Sequence, residues 1–224
     1  MNFAELGVPA SLAQILEQQG ITTPTPIQSA TLPDSLAGRD VLGRGRTGSG
    51  KTYAFLLPLV ARLDASKLPA MPRKPRALIL APTRELVGQI EASLAPLARA
   101  AGLTTRTVFG GVGQNPQVTA LKKGVDIVIA CPGRLEDLIK QGHCRLDKVE
   151  VTILDEADHM ADLGFLPGVT RILAATPQGG QRMLFSATLD RGVDGLVRKF
   201  LRDEVRHEID DQSVPQGEMT HLVA

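Results

Sequence analysis

Unbroken apolar runs set the rhythm of this chain. Ala77-Leu78-Ile79-Leu80-Ala81 is continuous in apolar residues, where a half-exposed strand would alternate, and Val125 to Ala130 and Val149 to Leu154 read as strands as well. Such runs mark strands covered on both faces, the habit of a parallel sheet. Asp40 to Gly43, Thr105 to Phe109, Arg182 to Phe185 and Val205 to Ile209 read as further strands. Helical spacing fills the gaps. Ser11 to Gln19 puts Leu12, Ile15 and Leu16 on one face and stops at Gly20. Thr31 to Leu36, the apolar stretch Tyr53 to Leu57, a segment opening at Pro82-Leu86 and running to about Ala100, one ending at Lys140, and Asp194 to Leu201 also read as helices. Thr23 to Gln28 holds two prolines and reads as a rigid turn, and Ala65 to Arg76 as a surface loop. Alternating strands and helices predict an α/β fold: a mostly parallel sheet, helices on both faces, built from right-handed βαβ units. Ligands of such sheets bind beyond the carboxyl ends of the strands. The polar motifs of this chain stand at those ends.

The most specific motif is Gly45-Arg46-Thr47-Gly48-Ser49-Gly50-Lys51-Thr52, which fits the phosphate-binding loop of P-loop NTPases. Its glycines let backbone N–H groups wrap an anion, and the helix that follows presents its positive end. Lys51 would reach the β- and γ-phosphates, and the Thr52 hydroxyl would face Mg²⁺. Asp155 follows an apolar strand and is suited to hold Mg²⁺ through water. Glu156 beside it can orient and deprotonate an attacking water. Two acids at a helix start are also ordinary caps, and only the phosphate loop tips the balance. Asp158 lies three residues on, and Ser186-Ala187-Thr188 closes the next strand. Their short hydroxyls can bond Asp158 and relay the state of the γ-phosphate, or simply cap a helix.

A second set of strand ends carries Pro82-Thr83-Arg84, Gly110-Gly111 and Pro132-Gly133-Arg134. Each offers turn N–H groups and two add an arginine, which suits a sugar–phosphate backbone gripped without reading bases. Each alone is ordinary turn chemistry. Gln28 can read adenine through an amide that donates and accepts, or stand solvated at a helix start.

Composition narrows the options. The 224 residues allow one large α/β domain or two small ones, and 43% hydrophobic content supports a full core. A net charge of +1 excludes a global polybasic field, so nucleic-acid contacts must be local. Aromatic content of 3% without Trp argues against base-stacking platforms. No apolar run is long enough to span a membrane, and the N-terminus lacks signal-peptide regions. Cys131 and Cys144 match no disulfide or zinc pattern, which makes a reducing cytosol the simplest compartment. The four histidines have no metal spacing, and no internal repeat is present.

Taken in order, these motifs closely resemble those of the DEAD-box RNA helicases, specifically their N-terminal RecA-like domain, from Phe3 to about Ile209. Phe3 matches the isolated upstream aromatic, Gly20 to Gln28 the Q motif, Gly45 to Thr52 motif I, and Pro82 to Leu86 motif Ia. Gly110-Gly111 matches the GG motif, Cys131 to Arg134 motif Ib, Asp155 to Asp158 motif II, and Ser186 to Thr188 motif III. The resemblance implies a RecA-like P-loop NTPase domain over 1–210 and an interdomain linker from 211 to 224. Phe3 and Gln28 would face adenine, and Thr23 would join them in binding the nucleotide. Arg46, Thr47, Gly48, Ser49, Gly50, Lys51 and Thr52 would hold the phosphates of ATP, with Mg²⁺ on Thr52 and Asp155. Lys51, Asp155 and Glu156 would be catalytic. Pro82, Thr83, Arg84, Gly110, Gly111, Pro132, Gly133 and Arg134 would line the RNA path. Asp158, Ser186 and Thr188 would couple the two sites. The chain departs from the family pattern at Ile21, usually aromatic, at Gly45, usually alanine, and at Cys131, usually threonine. The second RecA-like domain, with its arginine fingers and half the RNA surface, is absent. The expectation is a monomeric fragment of a longer helicase. A DNA translocase on the same fold and an idle nucleotide-controlled RNA clamp are the rival readings. The Gln28 region and the Asp155–Asp158 run oppose the first, and intact Lys51 and Glu156 the second.

Overall fold

The structure is a computed structural model that describes residues 1–45 and 50–208. One sheet holds β1 (Val41–Arg44), β2 (Ala77–Leu80), β3 (Thr105–Val108), β4 (Ile127–Ala130), β5 (Val151–Leu154), β6 (Gln181–Ser186) and β7 (Val205–Glu208). The spatial order is β3-β4-β2-β5-β6-β1-β7, and each pairing is parallel. The interior strands β2, β4 and β5 are buried at every residue, Thr152 of β5 included. The more polar β3 and β7 take the two edges, where their residues are mostly half-buried or exposed.

Alternation along each strand sorts the core into two layers. Ala77, Ile79, Ile129, Ile153 and Phe185 face α1 (Ala10–Gln18), α2 (Pro26–Leu36), α3 (Lys51–Ser66) and α4 (Arg84–Ala100). Leu78, Leu80, Val128, Leu154 and Leu184 face α5 (Asn115–Lys123), α6 (Pro132–Lys140), α7 (Ala157–Asp162), α8 (Leu166–Ala174) and α9 (Arg191–Phe200). Helices therefore cover both faces of the sheet, as the strand pattern required.

Several boundaries differ from the sequence reading. The segment read as a rigid turn runs on into the first turn of α2: Thr25 and Gln28 form a reciprocal capping box, with Pro26 at the first helical position. α3 continues through Pro58 to Ser66, where Leu59, Val60 and Leu63 pack into the core and outweigh the proline. α9 starts at Arg191, earlier than its apolar spacing, because Asp190 accepts from the Val193 N–H at 3.0 Å. α5, α7 and α8 are helices that the sequence reading did not include. The linker expected over 211–224 and the end of the last strand at Ile209 lie outside the described residues.

The amino ends of the strands are closed by buried arginines. Arg76 donates to Glu150 at 2.9 Å, to the Leu63 carbonyl at 2.8 Å and to Ser66 at 2.7 Å. Arg182 donates to the Phe200 carbonyl at 3.0 Å and to Thr176 at 2.9 Å. These anchors leave the carboxyl edge as the working face. No helix among the described residues is long and apolar enough to cross a membrane.

Candidate functional site

The strand order divides the carboxyl edge in two. On one half, β1, β6 and β5 end at Gly45, Ser186 and Asp155. On the other, β2, β4 and β3 end at Pro82–Arg84, Cys131–Arg134 and Gly110–Gly111.

In the first half, Arg46, Thr47, Gly48 and Ser49 lie outside the described residues. Gly45 donates its N–H to the Ser186 carbonyl at 3.2 Å, which ties the start of the loop to the end of β6. Gly50 caps α3 with φ of +77°, and a Cβ there would collide with the Thr25 side chain. Lys51 is therefore delivered at the first position of α3. Its Nζ lies 3.1 Å from Asp155 Oδ1, with side-chain exposures of 9% and 0%. Neither carboxylate oxygen of Asp155 accepts an aligned hydrogen bond among the described residues. Burial pushes the Asp155 carboxyl above the usual carboxylate range, against the pull of the Lys51 ammonium. A fully buried carboxylate with unused lone pairs is one that a cation completes. Thr52, half-buried on the next position of α3, supplies a hydroxyl. No group of three His, Cys, Asp or Glu gathers among the described residues.

Glu156 is the N-cap of α7 with φ 53° and ψ 53°, and its side chain makes no capping bond. A non-glycine residue held in the left-handed region stores strain of about 1–3 kcal/mol. Simple helix capping does not account for it. Beyond it, Ser186 Oγ donates to the Thr188 carbonyl at 2.6 Å and accepts from the Asp158 N–H at 3.1 Å. Thr188 Oγ1 donates to Asp158 Oδ2 at 3.4 Å. The three residues read as a coupling group are thus one hydrogen-bonded cluster.

The residues assigned to adenine are placed less simply. Phe3 is buried in the core at 3% exposure, and it lines a cavity of about 270 Å³ with Ala13, Glu17, Ile21 and Thr22. Thr23 is exposed and stands outside that lining. Gln28 is not solvated: it is 2% exposed, its Oε1 accepts from the Thr25 N–H at 2.9 Å, and its Nε2 donates to the Gly50 carbonyl at 2.7 Å. The amide joins the start of α2 to the phosphate loop. One N–H and one lone pair stay uncommitted by these bonds.

The second half brings its three segments together. Thr83 caps α4 by accepting from the Leu86 N–H at 3.2 Å, and Arg84 follows in the exposed first turn. Its guanidinium stands 4.8 Å from the centre of the Phe109 ring. Gly110 and Gly111 are exposed, and Gly111, at φ +82°, has the Arg84 side chain packed where a Cβ would approach it to 3.1 Å. Cys131 caps α6 without a side-chain bond, Pro132 is buried at the first helical position, and Gly133 is exposed. Burial, the Glu85 charge and, in opposition, Arg84 hold the Cys131 thiol up at about 11, so it is neutral. Arg134 donates to the Val112 carbonyl at 2.7 Å and to Gln117 Oε1 at 3.2 Å. Sequence reasoning missed Phe109, Gln117 and Thr25 as members of these sites. Only Thr25 left a signal, the spacing of a capping box.

Comparison with known proteins agrees with the motif order. The DEAD/DEAH box helicase family model matches residues 25–196. The chain is 44% identical to ATP-dependent RNA helicase RhlB of Pasteurella multocida, over 94% of this chain and 50% of that protein. It is 42% identical to the chloroplastic DEAD-box ATP-dependent RNA helicase 3B of Zea mays, over 97% of this chain and 30% of that protein. Among solved structures, a DEAD box protein from the hyperthermophile Methanococcus jannaschii superposes with a TM-score of 0.86 at 34% identity, covering 95% of this chain and 57% of that one. The RNA helicase Prp28 from Chaetomium thermophilum bound to ADP gives 0.86 at 40% identity, covering 94% and 51%. The chain spans half or less of the curated relatives named here.

Proposed function

Because the chain belongs to the DEAD/DEAH box helicase family, we propose that it is the ATP-binding half of an ATP-dependent RNA helicase. Its partner is a second RecA-like domain of the same full-length protein. The observation that carries this reading is Asp155: a fully buried carboxylate at a strand end, Lys51 at 3.1 Å, and a strained Glu156 next to it. Lys51 exchanges Asp155 for the β- and γ-phosphates of ATP when nucleotide enters. Asp155 and Thr52 are the residues that would hold Mg²⁺, which would supply charge neutralisation on the phosphate oxygens. Glu156 orients a water in line with the γ-phosphorus and takes its proton, and ADP and phosphate are the products. The cavity beside Phe3, with the spare N–H and lone pair of Gln28, takes the adenine. Arg46, Thr47, Gly48 and Ser49 belong to the same phosphate-binding loop.

Asp158, Ser186 and Thr188 pass the state of this site to the RNA half. There Arg84, Arg134 and the N–H groups of the Pro82–Thr83, Gly110–Gly111 and Pro132–Gly133 turns grip the phosphodiester backbone independently of sequence. Closure of the two domains over ATP and RNA drives local unwinding of a duplex. The unpaired Cys131 and Cys144 fit a reducing cytosol, and the fragment is read as a monomer.

The test is steady-state ATPase of the protein extended through its second domain, with RNA or DNA added, in the native form and as Glu156→Gln. RNA-specific stimulation is expected, and Glu156→Gln is expected to keep ADP affinity while turnover falls about 10²–10⁴-fold. Equal stimulation by DNA would make the protein a DNA-driven motor instead. Near-normal turnover of Glu156→Gln would remove Glu156 as the base.

A further inference from the structure

We propose that Gln117 is a positioning residue of the RNA surface, its buried amide setting the Gly110–Gly111 turn and the Arg134 guanidinium in fixed relation. The inference rests on the RNA reading above. Gln117 sits on α5, a helix that carries none of the family motifs, and is 3% exposed. A leucine would fill such a seat without the cost of burying an amide. Here both ends of the amide are used: Nε2 donates to the Phe109 carbonyl at 3.0 Å, and Oε1 accepts from Arg134 Nη1 at 3.2 Å. The task needs a donor and an acceptor on one side chain, which excludes both a carboxylate and an ammonium.

The bonds bracket the turn. Phe109 precedes Gly110-Gly111 and Val112 follows it. Arg134 Nη2 donates to the Val112 carbonyl at 2.7 Å. One guanidinium is thus held from both sides of the turn, directly through Val112 and through Gln117 to Phe109. The Phe109 ring carries the other arginine, with Arg84 4.8 Å from its centre. Two arginines from two helices are referred to one residue of β3's end. A free arginine loses rotamer entropy when it binds a phosphate, and one already held in place loses less.

The experiment compares the chain with Gln117→Met, Gln117→Glu, Arg134→Ala and the Gln117→Met/Arg134→Ala pair. The affinity for a fluorescein-labelled oligouridylate is read by anisotropy at fixed low salt, alongside ADP affinity. The order of the Arg134 Nε–H group is read by NMR relaxation. Gln117→Met should weaken RNA binding about five-fold, the scale of one lost hydrogen bond, and leave ADP binding unchanged. Most of that loss should vanish in the Arg134→Ala background, and the Arg134 Nε–H should become more mobile. Should Gln117→Met not fold, Gln117→Glu keeps size and polarity but cannot donate to Phe109, and it should weaken RNA binding at least as much. Native RNA affinity in either folded variant, or an unchanged Arg134 order, overturns the inference. If Arg134→Ala itself leaves RNA affinity intact, the RNA reading of this surface fails, and the inference with it.

Discussion

The two halves of the carboxyl edge solve opposite electrostatic problems. The half at β5, β6 and β1 keeps its charges dry: Asp155 has no exposed surface, Lys51 almost none, and Glu156 is held in a strained backbone. The half at β2, β4 and β3 keeps its charges wet: Arg84 is exposed, Arg134 half so, and glycines leave the backbone open. A dry site makes each Coulomb interaction large, which suits one small, highly charged ligand undergoing chemistry. A wet site makes each contact weak and screened by salt, which suits a long polyanion that must be gripped and released. The halves meet where the Asp155 N–H donates to the Leu80 carbonyl at 2.9 Å, the ladder step between β5 and β2. The function proposed above requires a signal to cross that seam.

The largest effect expected of this contrast concerns what the dry half lacks. On the proposed reading its described residues would hold the ground state, but among them no arginine is placed to meet a transferring phosphoryl group. Arg44 is turned toward Ala187 and Glu208, at 3.5 and 3.3 Å. The isolated chain should bind MgATP yet turn over slower by about 10³–10⁵-fold than the protein extended through its second domain, the usual worth of an arginine finger. Steady-state ATPase of the two, with and without RNA, measures it. Equal rates would mean that the dry half is complete in itself.

Next is the buried pair. Removing one member of such a pair leaves an uncompensated charge, at a cost of about 3–5 kcal/mol. Lys51→Ala should therefore lower stability even without nucleotide, and Lys51→Ala/Asp155→Ala should recover most of the loss. The pH dependence has a definite sign. The Asp155 carboxyl is raised by burial, so its contribution is full below the unfolded value and is lost as pH rises through the folded one. Lys51 opposes that loss. The defect of Lys51→Ala should shrink on going from neutral to acid pH in urea unfolding. A constant defect would show that Lys51 acts by packing alone.

The wet half should respond differently. Arg84→Ala should leave stability nearly intact, whereas Arg134→Ala should cost about 1–3 kcal/mol because it leaves the buried Gln117 Oε1 unpaired. Both should weaken RNA binding for all sequences alike and each lower the salt slope by about 1. A loss confined to one RNA sequence would identify a base reader and break the contrast.

How much of this was legible in the sequence follows the same division. In the dry half the meeting of Lys51 with Asp155 was readable, since a lysine after a glycine-rich loop and paired acids at a strand end are what phosphate chemistry demands, whereas Arg46 to Ser49 lie outside the described residues. What the sequence did not convey was that Gln28 is buried and bonded to Gly50, because an amide looks the same whether solvated or locked. The interior strands were plain from their apolar runs. α5 was not, because Asn115–Lys123 is mostly polar and buries only Gln117 and Leu121. α7 is six residues long, too short for a period to register. α8 did carry a signal, with Val169, Ile172 and Leu173 on one face behind a proline start. Gln117 was invisible because its role comes from two bonds to distant segments.

The smallest effect expected lies within the wet half, where two helix starts can be set side by side. Thr83 and Cys131 both have extended backbone and both precede an arginine-bearing helix. Thr83 accepts from the Leu86 N–H, while Cys131 caps nothing and its thiol is neutral, held up at about 11. Cys131→Thr should place a hydroxyl where it accepts from the third N–H of α6, that of Arg134. The backbone at φ −85° and ψ 141° suits a β-branched residue. A cap of this kind adds about 0.5–1 kcal/mol, or about 1–4 °C in Tm for a chain of this size. The same hydroxyl keeps a proton to donate outward, so RNA affinity should also rise, by about two- to three-fold for one exposed hydrogen bond. Thermal melting and RNA titration separate the two gains. A rise in Tm without a gain in affinity would confine residue 131 to capping. No change in either would mean that the thiol already does what a hydroxyl can do there, and that the difference between the two helix starts has no consequence.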